Sequence, residues 1–195
     1  MKIITKNDGN ELSEFIYYNN FFDKTYYNSI LDWLKTLNFI KGYKNNGIKI
    51  DREQIWFDNN NNYFCKAWKS IEKRWEANEY DKKLTEIQEK IKNKLNIDIN
   101  TCLVNKYNTG NDSISAHKDS SFSFGEYPNI IIYSLGAERT MKINSDISKT
   151  SFNVNLDSNS IFIMKGGSQK YFTHEIIKDN SKNVRYSLTF RKYLK

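Results

Sequence analysis

Cysteine, proline and glycine are scarce in this sequence of 195 residues, and each scarcity limits what the chain can be. The two cysteines, Cys65 and Cys102, are too few for a disulfide framework or a cysteine-based zinc site, which favours a reducing intracellular compartment. With one proline, Pro128, and eight glycines, many turns must be formed by other residues. We expect asparagine at these turns, because it tolerates left-handed backbone better than most residues.

Long apolar runs are also missing. No run approaches the ~18 residues that a membrane-spanning helix needs, and residues 1–8 become charged before a signal sequence could form. We therefore expect an intracellular protein, cytoplasmic or nuclear, that is neither secreted nor embedded in a membrane. The length suits one domain, and we expect a monomer.

Positive charge is in excess: the net charge is +7 and the isoelectric point is near 9.2. A basic surface favours a polyanionic partner such as nucleic acid, through phosphate contacts and counterion release. Many basic proteins bind no nucleic acid, so the charge indicates this class of partner without establishing it. Aromatic residues make up 15% of the chain, so bulky rings must supply much of the core.

The first hundred residues show helical periodicity in three places. Apolar residues recur at helical spacing in sets that predict amphipathic helices. Residues 41–62 have no steady period and are predicted to form loops around short strands. The three helical sets are Tyr27, Ile30, Leu31, Leu34 and Leu37, then Trp68, Ile71 and Trp75, then Leu84, Ile87, Ile91 and Leu95.

From residue 101 the pattern changes to short strands separated by Asn, Gly, Asp and Ser. Helices followed by a run of strands predict an α+β chain with a jelly-roll-like barrel. The predicted strands are Thr101–Tyr107, Asn129–Leu135, Arg139–Ile143, Ser151–Leu156, Ser160–Met164, Tyr171–Ile177 and Val184–Tyr193.

The only two histidines fall in a pattern that indicates a metal site. His117 and Asp119 stand at positions i and i+2, so on an extended strand both side chains project from one face. His174, from a distant segment, would complete a set of two imidazoles and one carboxylate. This set leaves three coordination positions open on an octahedral ion, as in non-haem Fe(II) oxygenases. We predict an iron site at His117, Asp119 and His174.

Two arginines near the end of the chain are predicted to bind a dicarboxylate co-substrate. Arg185 and Arg191 are an even number of residues apart in a β-rich run, so both guanidinium groups point to one side. Tyr186, Leu188 and Phe190 occupy the other, apolar face. Each guanidinium can bind a carboxylate through two parallel hydrogen bonds.

Four segments together resemble AlkB-type 2-oxoglutarate-dependent dioxygenases, over about residues 50 to 193. The resemblance implies a double-stranded β-helix (jelly-roll, cupin-like) core with N-terminal supporting helices. We expect one domain over residues 1–195, with helices and substrate-lid loops in 1–100 and the core in 101–195. The segments are Asn105-Lys106-Tyr107-Asn108-Thr109-Gly110, His117-Lys118-Asp119, Gly166-Gly167-Ser168-Gln169 leading to His174, and Arg185-Tyr186-Ser187-Leu188-Thr189-Phe190-Arg191.

The resemblance also implies cofactors and their contacts. Fe(II), 2-oxoglutarate and O2 would be used, most often for oxidative demethylation of alkylated bases in DNA or RNA with release of formaldehyde, succinate and CO2. Arg185, helped by Tyr107, would bind the C5 carboxylate of 2-oxoglutarate, while Arg191 and Asn105 would hold the C1 end. Ser187 and Thr189 share that strand face; the family often has Asn where Ser187 stands.

Substrate recognition is expected from a second group of residues. Arg52 and Gln54 resemble part of the nucleotide-recognition lid of the family, and the aromatic pair Trp56 and Phe57 could stack on a flipped base. Packing in the core is the equally weighted interpretation of that pair. Ser115 and Ser121 match substrate-side positions. The family commonly carries an acidic residue where Ser121 stands.

Other functions stay open at this point. The serine at position 121 also suits a 2-oxoglutarate-dependent hydroxylase or demethylase of a protein or small-molecule substrate. A catalytically silent nucleic-acid-binding module with the same fold would bind in a salt-sensitive manner without turnover. A hydrolytic zinc enzyme is disfavoured because the sequence has no His-Glu-x-x-His helix and the paired arginines would lack a role.

Overall fold

The structure, a computed structural model, describes residues 1–9, 11–43, 49–65 and 75–194, without the side chains of Lys49 and Asp51. Twelve strands and four helices lie in these ranges. In chain order they are β1 (Lys2–Asp8), β2 (Glu11–Tyr18), α1 (Lys24–Thr36), β3 (Ile40–Tyr43), β4 (Lys49–Asp58), α2 (Lys82–Leu95), β5 (Thr101–Tyr107), β6 (Ile114–His117), α3 (Ser121–Phe124), β7 (Ile130–Gly136), β8 (Arg139–Ser145), β9 (Ser151–Leu156), β10 (Ser160–Gly166), α4 (Ser168–Tyr171), β11 (Phe172–Ile176) and β12 (Arg185–Arg191).

The strands form two antiparallel sheets. The larger sheet has the order β1-β2-β10-β7-β12-β5-β4-β3, and the smaller has the order β6-β11-β8-β9. All seven strands predicted after residue 100 are present within a few residues of their predicted bounds. The α+β class and the double-stranded β-helix architecture are therefore confirmed.

The two long helices begin and end where local chemistry favours it. The carboxylates of Asp23 and Asp81 accept hydrogen bonds from the first-turn amides of α1 and α2, at 2.8 Å each. Asn96 ends α2 in the left-handed conformation, with φ 52°. The apolar faces of both helices pack on the larger sheet, as the periodicity predicted. No helix in the described ranges is long and apolar enough to cross a membrane.

Asparagine forms turns that glycine forms in most proteins. Five described residues other than glycine have positive φ, and four of them are asparagines, which confirms the expectation drawn from the scarcity of glycine. They are Asn20, Asn61, Asn96 and Asn159; the fifth is Lys149.

The larger sheet presents different chemistry on its two faces. Side chains of β12 alternate, so Tyr186, Leu188 and Phe190 face the helix-covered core. Arg185 and Arg191 face the opposite side, towards the smaller sheet, where they line a cavity. This is the division predicted from the sequence of β12, and it follows from the two-residue period of a strand.

The structure contains more β-sheet before residue 101 than the sequence predicted. Strands β1 and β2 extend the larger sheet at one end, and β3 and β4 extend it at the other. Strand β4 occupies residues 49–58 of the region 41–62, which was predicted to form loops around short strands, and it is longer than that prediction implied. Its period was hidden because side chains on both of its faces are buried from Gln54 onward, which gives no alternation of apolar and polar residues.

The second predicted helix falls largely outside the described residues, which exclude Trp68 and Ile71. Trp75 is described, and it is buried in an aromatic cluster. The predicted third helix corresponds to α2.

Candidate active site

The two imidazoles meet because their strands pair. His117 at the end of β6 and His174 in β11 are direct cross-strand partners, and their ring centroids are 4.3 Å apart. Neighbours of this kind share one face of a sheet. Nδ1 of His117 donates to the carbonyl of Ser115 at 2.9 Å, which leaves the Nε2 lone pair of His117 free for a metal.

Asp119 lies beside the two imidazoles, but not for the reason that the sequence predicted. Strand β6 ends at His117, so Asp119 lies beyond the strand and not at its i+2 position. Arg191 holds its carboxylate from Nε at 2.7 Å and from Nη2 at 3.2 Å. The ligand atoms of His117, Asp119 and His174 all lie within 4.8 Å of one another, so the predicted triad is assembled.

Burial and charge set the protonation states that a metal requires. Burial, with a smaller effect of neighbouring His117, lowers the pKa of His174 from 6.5 to about 3. Burial also lowers the pKa of His117. Burial acts to raise the pKa of Asp119, but Arg191 and the two histidines outweigh it and the pKa falls to about 2. Near neutral pH the site therefore holds two neutral imidazoles and a carboxylate.

This donor set fits iron. Two nitrogens and one oxygen in the correct protonation states are the ligands of the facial triad. The carboxylate keeps acceptor capacity for a metal, because two oxygens offer about four lone-pair sites and Arg191 uses only two. Nδ1 of buried His174 has no hydrogen-bond partner among the described residues. No described group therefore replaces the hydrogen bond to water that this nitrogen loses on burial.

These pKa shifts predict how the metal-free protein responds to acid. Because the pKa of His174 is lower in the folded state, the unfolded chain takes up a proton between pH 6.5 and about 3 that the folded chain does not. The contribution of His174 to the free energy of unfolding is therefore complete above pH 6.5. It falls by about 1.4 kcal/mol for each pH unit between the unfolded and the folded pKa. His117, whose pKa burial also lowers, adds to the loss below pH 6.5, and Asp119 adds to it only below pH 3.8.

Urea unfolding in a chelator at pH 7.5 and pH 5 would measure this loss. His174→Ala should flatten the dependence in that window. An equal decline in the variant would show that other groups cause it.

A cavity of about 440 Å³ opens beside the triad, between the two sheets. The six predicted co-substrate residues all line it. They are Asn105, Tyr107, Arg185, Ser187, Thr189 and Arg191. Apolar side chains from β5, β7, β8 and β11 complete the walls; these are Leu103, Ile132, Met141 and Ile176.

Arg185 is a buried cation whose charge is not balanced by any described side chain. It is 1% exposed. Its Nη2 donates to Ser134 at 3.0 Å, whereas its Nε and Nη1 have no hydrogen-bond partner among the described residues. Its guanidinium lies 5.0 Å from the ring centre of Tyr107. A buried, unbalanced guanidinium is costly, and a carboxylate supplied by a ligand would satisfy it.

Next to Arg185 a row of polar side chains crosses three strands. Gln54, Asn105 and Ser187 are register partners on β4, β5 and β12. Gln54 Nε2 donates to Asn105 Oδ1 at 2.8 Å, and Asn105 Nδ2 donates to Ser187 Oγ at 3.4 Å. Gln54 was predicted to recognise substrate. The structure places it in the cavity wall, where it orients Asn105.

The predicted substrate residues separate into two groups. Arg52 lines the cavity, where Nη1 donates to the Ser113 carbonyl at 3.2 Å and Nε has no hydrogen-bond partner in the described part of the chain. Trp56 and Phe57 are neighbours on β4 and therefore face opposite sides of the sheet. Trp56 is 0% exposed in an aromatic cluster, and Phe57 packs under the helices. Their burial favours core packing over stacking on a base.

The two serines lie outside the cavity wall. Ser115 is exposed, and its backbone carbonyl, rather than its side chain, contacts His117. Ser121 is exposed at the start of α3. Neither residue is among those lining the cavity, and Ser120, between Asp119 and Ser121, is.

Sequence reasoning missed several cavity residues. Phe64, Cys65 and Trp75 form part of the wall, and the rings of Phe64 and Trp75 stack with centroids 4.5 Å apart. Gln169 belongs to one of the sequence motifs, but the motif indicates no role for this residue. In the structure its side chain accepts a hydrogen bond from the Asp119 amide at 2.9 Å. No local signal separates such residues from core residues, because only the folded chain brings them to the metal ligands.

Comparison with known proteins agrees with this geometry. The profile of the 2OG-Fe(II) oxygenase superfamily matches residues 14–191, which begins well before the region of resemblance found in the sequence. Human alpha-ketoglutarate-dependent dioxygenase alkB homolog 3 is 32% identical over 102 residues. That match covers 47% of this chain and 36% of the human protein, so it spans about a third of that relative.

Two solved structures share the fold. OsALKBH1 superposes with a TM-score of 0.64 at 17% identity, covering 91% of this chain and 97% of that one. A prolyl hydroxylase from Trichoplax adhaerens, solved with a peptide fragment of the hypoxia inducible factor oxygen degradation domain, gives a TM-score of 0.60 at 11% identity. It covers 92% of this chain and 83% of that one.

Proposed function

Because the chain belongs to the 2OG-Fe(II) oxygenase superfamily and is AlkB-like, we propose that it oxidatively demethylates alkylated bases in DNA or RNA. Its enzyme class and its use of Fe(II) and 2-oxoglutarate follow from the family and the triad. The nucleic-acid substrate is the proposed part. The observation that carries it is the match to alkB homolog 3, which spans about half of this chain.

His117, Asp119 and His174 would hold the iron. When bound with 2-oxoglutarate and O2, iron supplies the oxidation that converts an N-methyl group to formaldehyde and leaves N–H on the base, as 2-oxoglutarate becomes succinate and CO2. The residues contribute position and charge. Arg191 keeps Asp119 ionised and oriented, and Ser115 keeps His117 in the tautomer that can bind metal.

We assign the C5 carboxylate of 2-oxoglutarate to Arg185. This guanidinium is buried in the cavity and its charge is balanced by no described side chain, whereas Arg191 already binds Asp119. Asn105 and Tyr107, on the neighbouring strand, line the same region, and Gln54 and Ser187 fix the orientation of the Asn105 amide. Ser187 and Thr189 would complete the polar surface around the co-substrate.

Arg185→Met should separate stability from function. Removing a buried cation with two unsatisfied nitrogens is expected to stabilise the protein without co-substrate by about 1–3 kcal/mol. Losing the charge-assisted hydrogen bonds should raise the 2-oxoglutarate KM about 10- to 100-fold. Urea unfolding and succinate formation measure the two effects. A destabilised variant with an unchanged KM would contradict the assignment.

Three features support a nucleic-acid substrate. The net charge is +7, which favours contact with phosphates. Arg52 places a guanidinium in the cavity wall with Nε unsatisfied among the described residues, so an anionic group of the substrate could balance it. Phe64 and Trp75 are largely buried like Trp56, but unlike Trp56 and Phe57 they line the cavity, where they form an aromatic wall against which a base can pack.

The test is a panel of oligonucleotides with methylated adenine, cytosine, guanine or thymine, as single and double strands of DNA and RNA. Formaldehyde and succinate should form together from at least one substrate in the presence of Fe(II), ascorbate and 2-oxoglutarate. Arg52→Met should reduce turnover of the oligonucleotide while leaving the 2-oxoglutarate KM unchanged. No formaldehyde from any member, with succinate released from a methylated peptide or small molecule instead, would replace this proposal with another substrate class.

A further inference from the structure

The segment that carries Asp119 lacks the support that the two histidines have. His117 and His174 belong to paired strands, so backbone hydrogen bonds fix their positions. Asp119 lies after the end of β6 and before α3, outside any strand pairing. Its carboxylate is held by Arg191, but that contact alone does not fix where the backbone lies.

One side chain supplies the missing backbone contact. The Asp119 amide donates to Gln169 Oε1 at 2.9 Å, and both residues are buried. An amide N–H can only donate, so the oxygen of Gln169 must face Asp119. The Gln169 Nε2 then lies 3.6 Å from Met164 Sδ, which orients the other half of the amide.

Gln169 belongs to α4, the turn that leads directly into β11 and His174. A second contact joins the same two segments, since Lys118 Nζ donates to the Lys170 carbonyl at 2.5 Å. The turn therefore binds the Asp119 backbone and the Lys118 ammonium group, while its continuation carries His174. Movement of the turn would shift the carboxylate and one imidazole relative to each other.

We propose that Gln169 is a positioning residue for the metal site, which acts by fixing the backbone of Asp119 so that its carboxylate faces both imidazoles. It does not touch the metal. The inference rests on the iron site of the proposed enzyme and not on its nucleic-acid substrate. Residues that orient ligands in this way typically account for about 10- to 100-fold in metal affinity.

Three variants separate the hydrogen bond to Asp119 from the packing of the turn. Gln169→Met keeps the length of the side chain but removes the acceptor. Gln169→Glu keeps an acceptor oxygen for the Asp119 amide. Met164→Leu is the matched control, because it removes the partner of Gln169 Nε2, is similar in volume and leaves the Asp119 contact in place.

Calorimetric titration of the chelator-treated protein with Mn²⁺ or Co²⁺ needs no substrate, so it succeeds or fails independently of the oligonucleotide panel. We expect about 10- to 100-fold weaker binding for Gln169→Met, and binding near that of the unaltered protein for Gln169→Glu and Met164→Leu. Amide exchange at Asp119 in the metal-free protein should accelerate in Gln169→Met alone. The Tm of the metal-free protein should change little in Met164→Leu. It should fall in Gln169→Met, which leaves the buried Asp119 amide without an acceptor, and in Gln169→Glu, which buries a carboxyl group, so the titrations are run below the Tm of each variant.

Unchanged metal affinity in a folded Gln169→Met protein would overturn the proposal. Equal weakening in Met164→Leu would overturn it as well, because packing of the turn would then be responsible. If Gln169→Met does not fold, Gln169→Asn takes its place, since it withdraws the same oxygen by one methylene. Retained metal affinity in Gln169→Asn would likewise contradict the positioning role.

Discussion

Replacing His174 with alanine is expected to abolish turnover while leaving the fold intact. The imidazole supplies one of three ligands, and losing even an outer partner of a ligand typically costs about 10- to 100-fold in affinity or activity. The loss here should exceed about 100-fold. Succinate formation and Co²⁺ binding would both report it.

The control lies on the same strand. Thr173→Ala alters the adjacent residue, whose side chain faces away from the cavity, and it should leave succinate formation unchanged. Circular dichroism and urea unfolding in a chelator should show that both variants are folded. Full activity in His174→Ala would refute its role as a ligand.

Replacing Arg191 with alanine is expected to destabilise the metal-free protein strongly. Its ion pair with Asp119 is almost fully buried, with side chains 5% and 4% exposed. Removing one partner of a buried pair leaves an uncompensated charge, which typically costs about 3–5 kcal/mol. The 2-oxoglutarate requirement should also rise, because Asp119 would lose its orientation and the contact between Arg191 and the C1 end of 2-oxoglutarate that the family resemblance implies would be lost.

A bound divalent metal should restore part of this stability, because it supplies positive charge beside Asp119. Urea unfolding with chelator and with Mn²⁺ would measure the restoration. Lys192→Ala is a suitable control, since Lys192 forms an exposed pair with Asp98 that is worth at most about 1 kcal/mol. If Arg191→Ala unfolds at the same urea concentration as this control, the ion pair does not stabilise the site.

The metal-ligand triad and the position of the two arginines in the cavity wall could be predicted because their chemistry is rare. Only two histidines are present, and the arginines of β12 stand on the face opposite its apolar residues. The two-residue period of a strand is local, so it can be read from the sequence. The same rule separates Trp56 from Phe57, since neighbours on one strand cannot share a face.

The contact from Gln169 to Asp119 could not be predicted in this way. The two residues are 50 positions apart, and neither the motif nor its spacing indicates a hydrogen bond between them. Strand β4 was also hidden, because burial on both faces removes the alternation that identifies a half-buried strand.

By itself the sequence determined the fold class, the identity of the three ligands, the shared face of the two arginines and the use of asparagine in turns, because these depend on residue type, on local periodicity and on the presence of only two histidines. Only the tertiary structure decided which residues surround the ligands. It pairs His117 with His174 across two strands, leaves the charge of Arg185 unbalanced in the cavity and brings Gln169 to the Asp119 amide. These depend on how two sheets pack together, which no local pattern encodes.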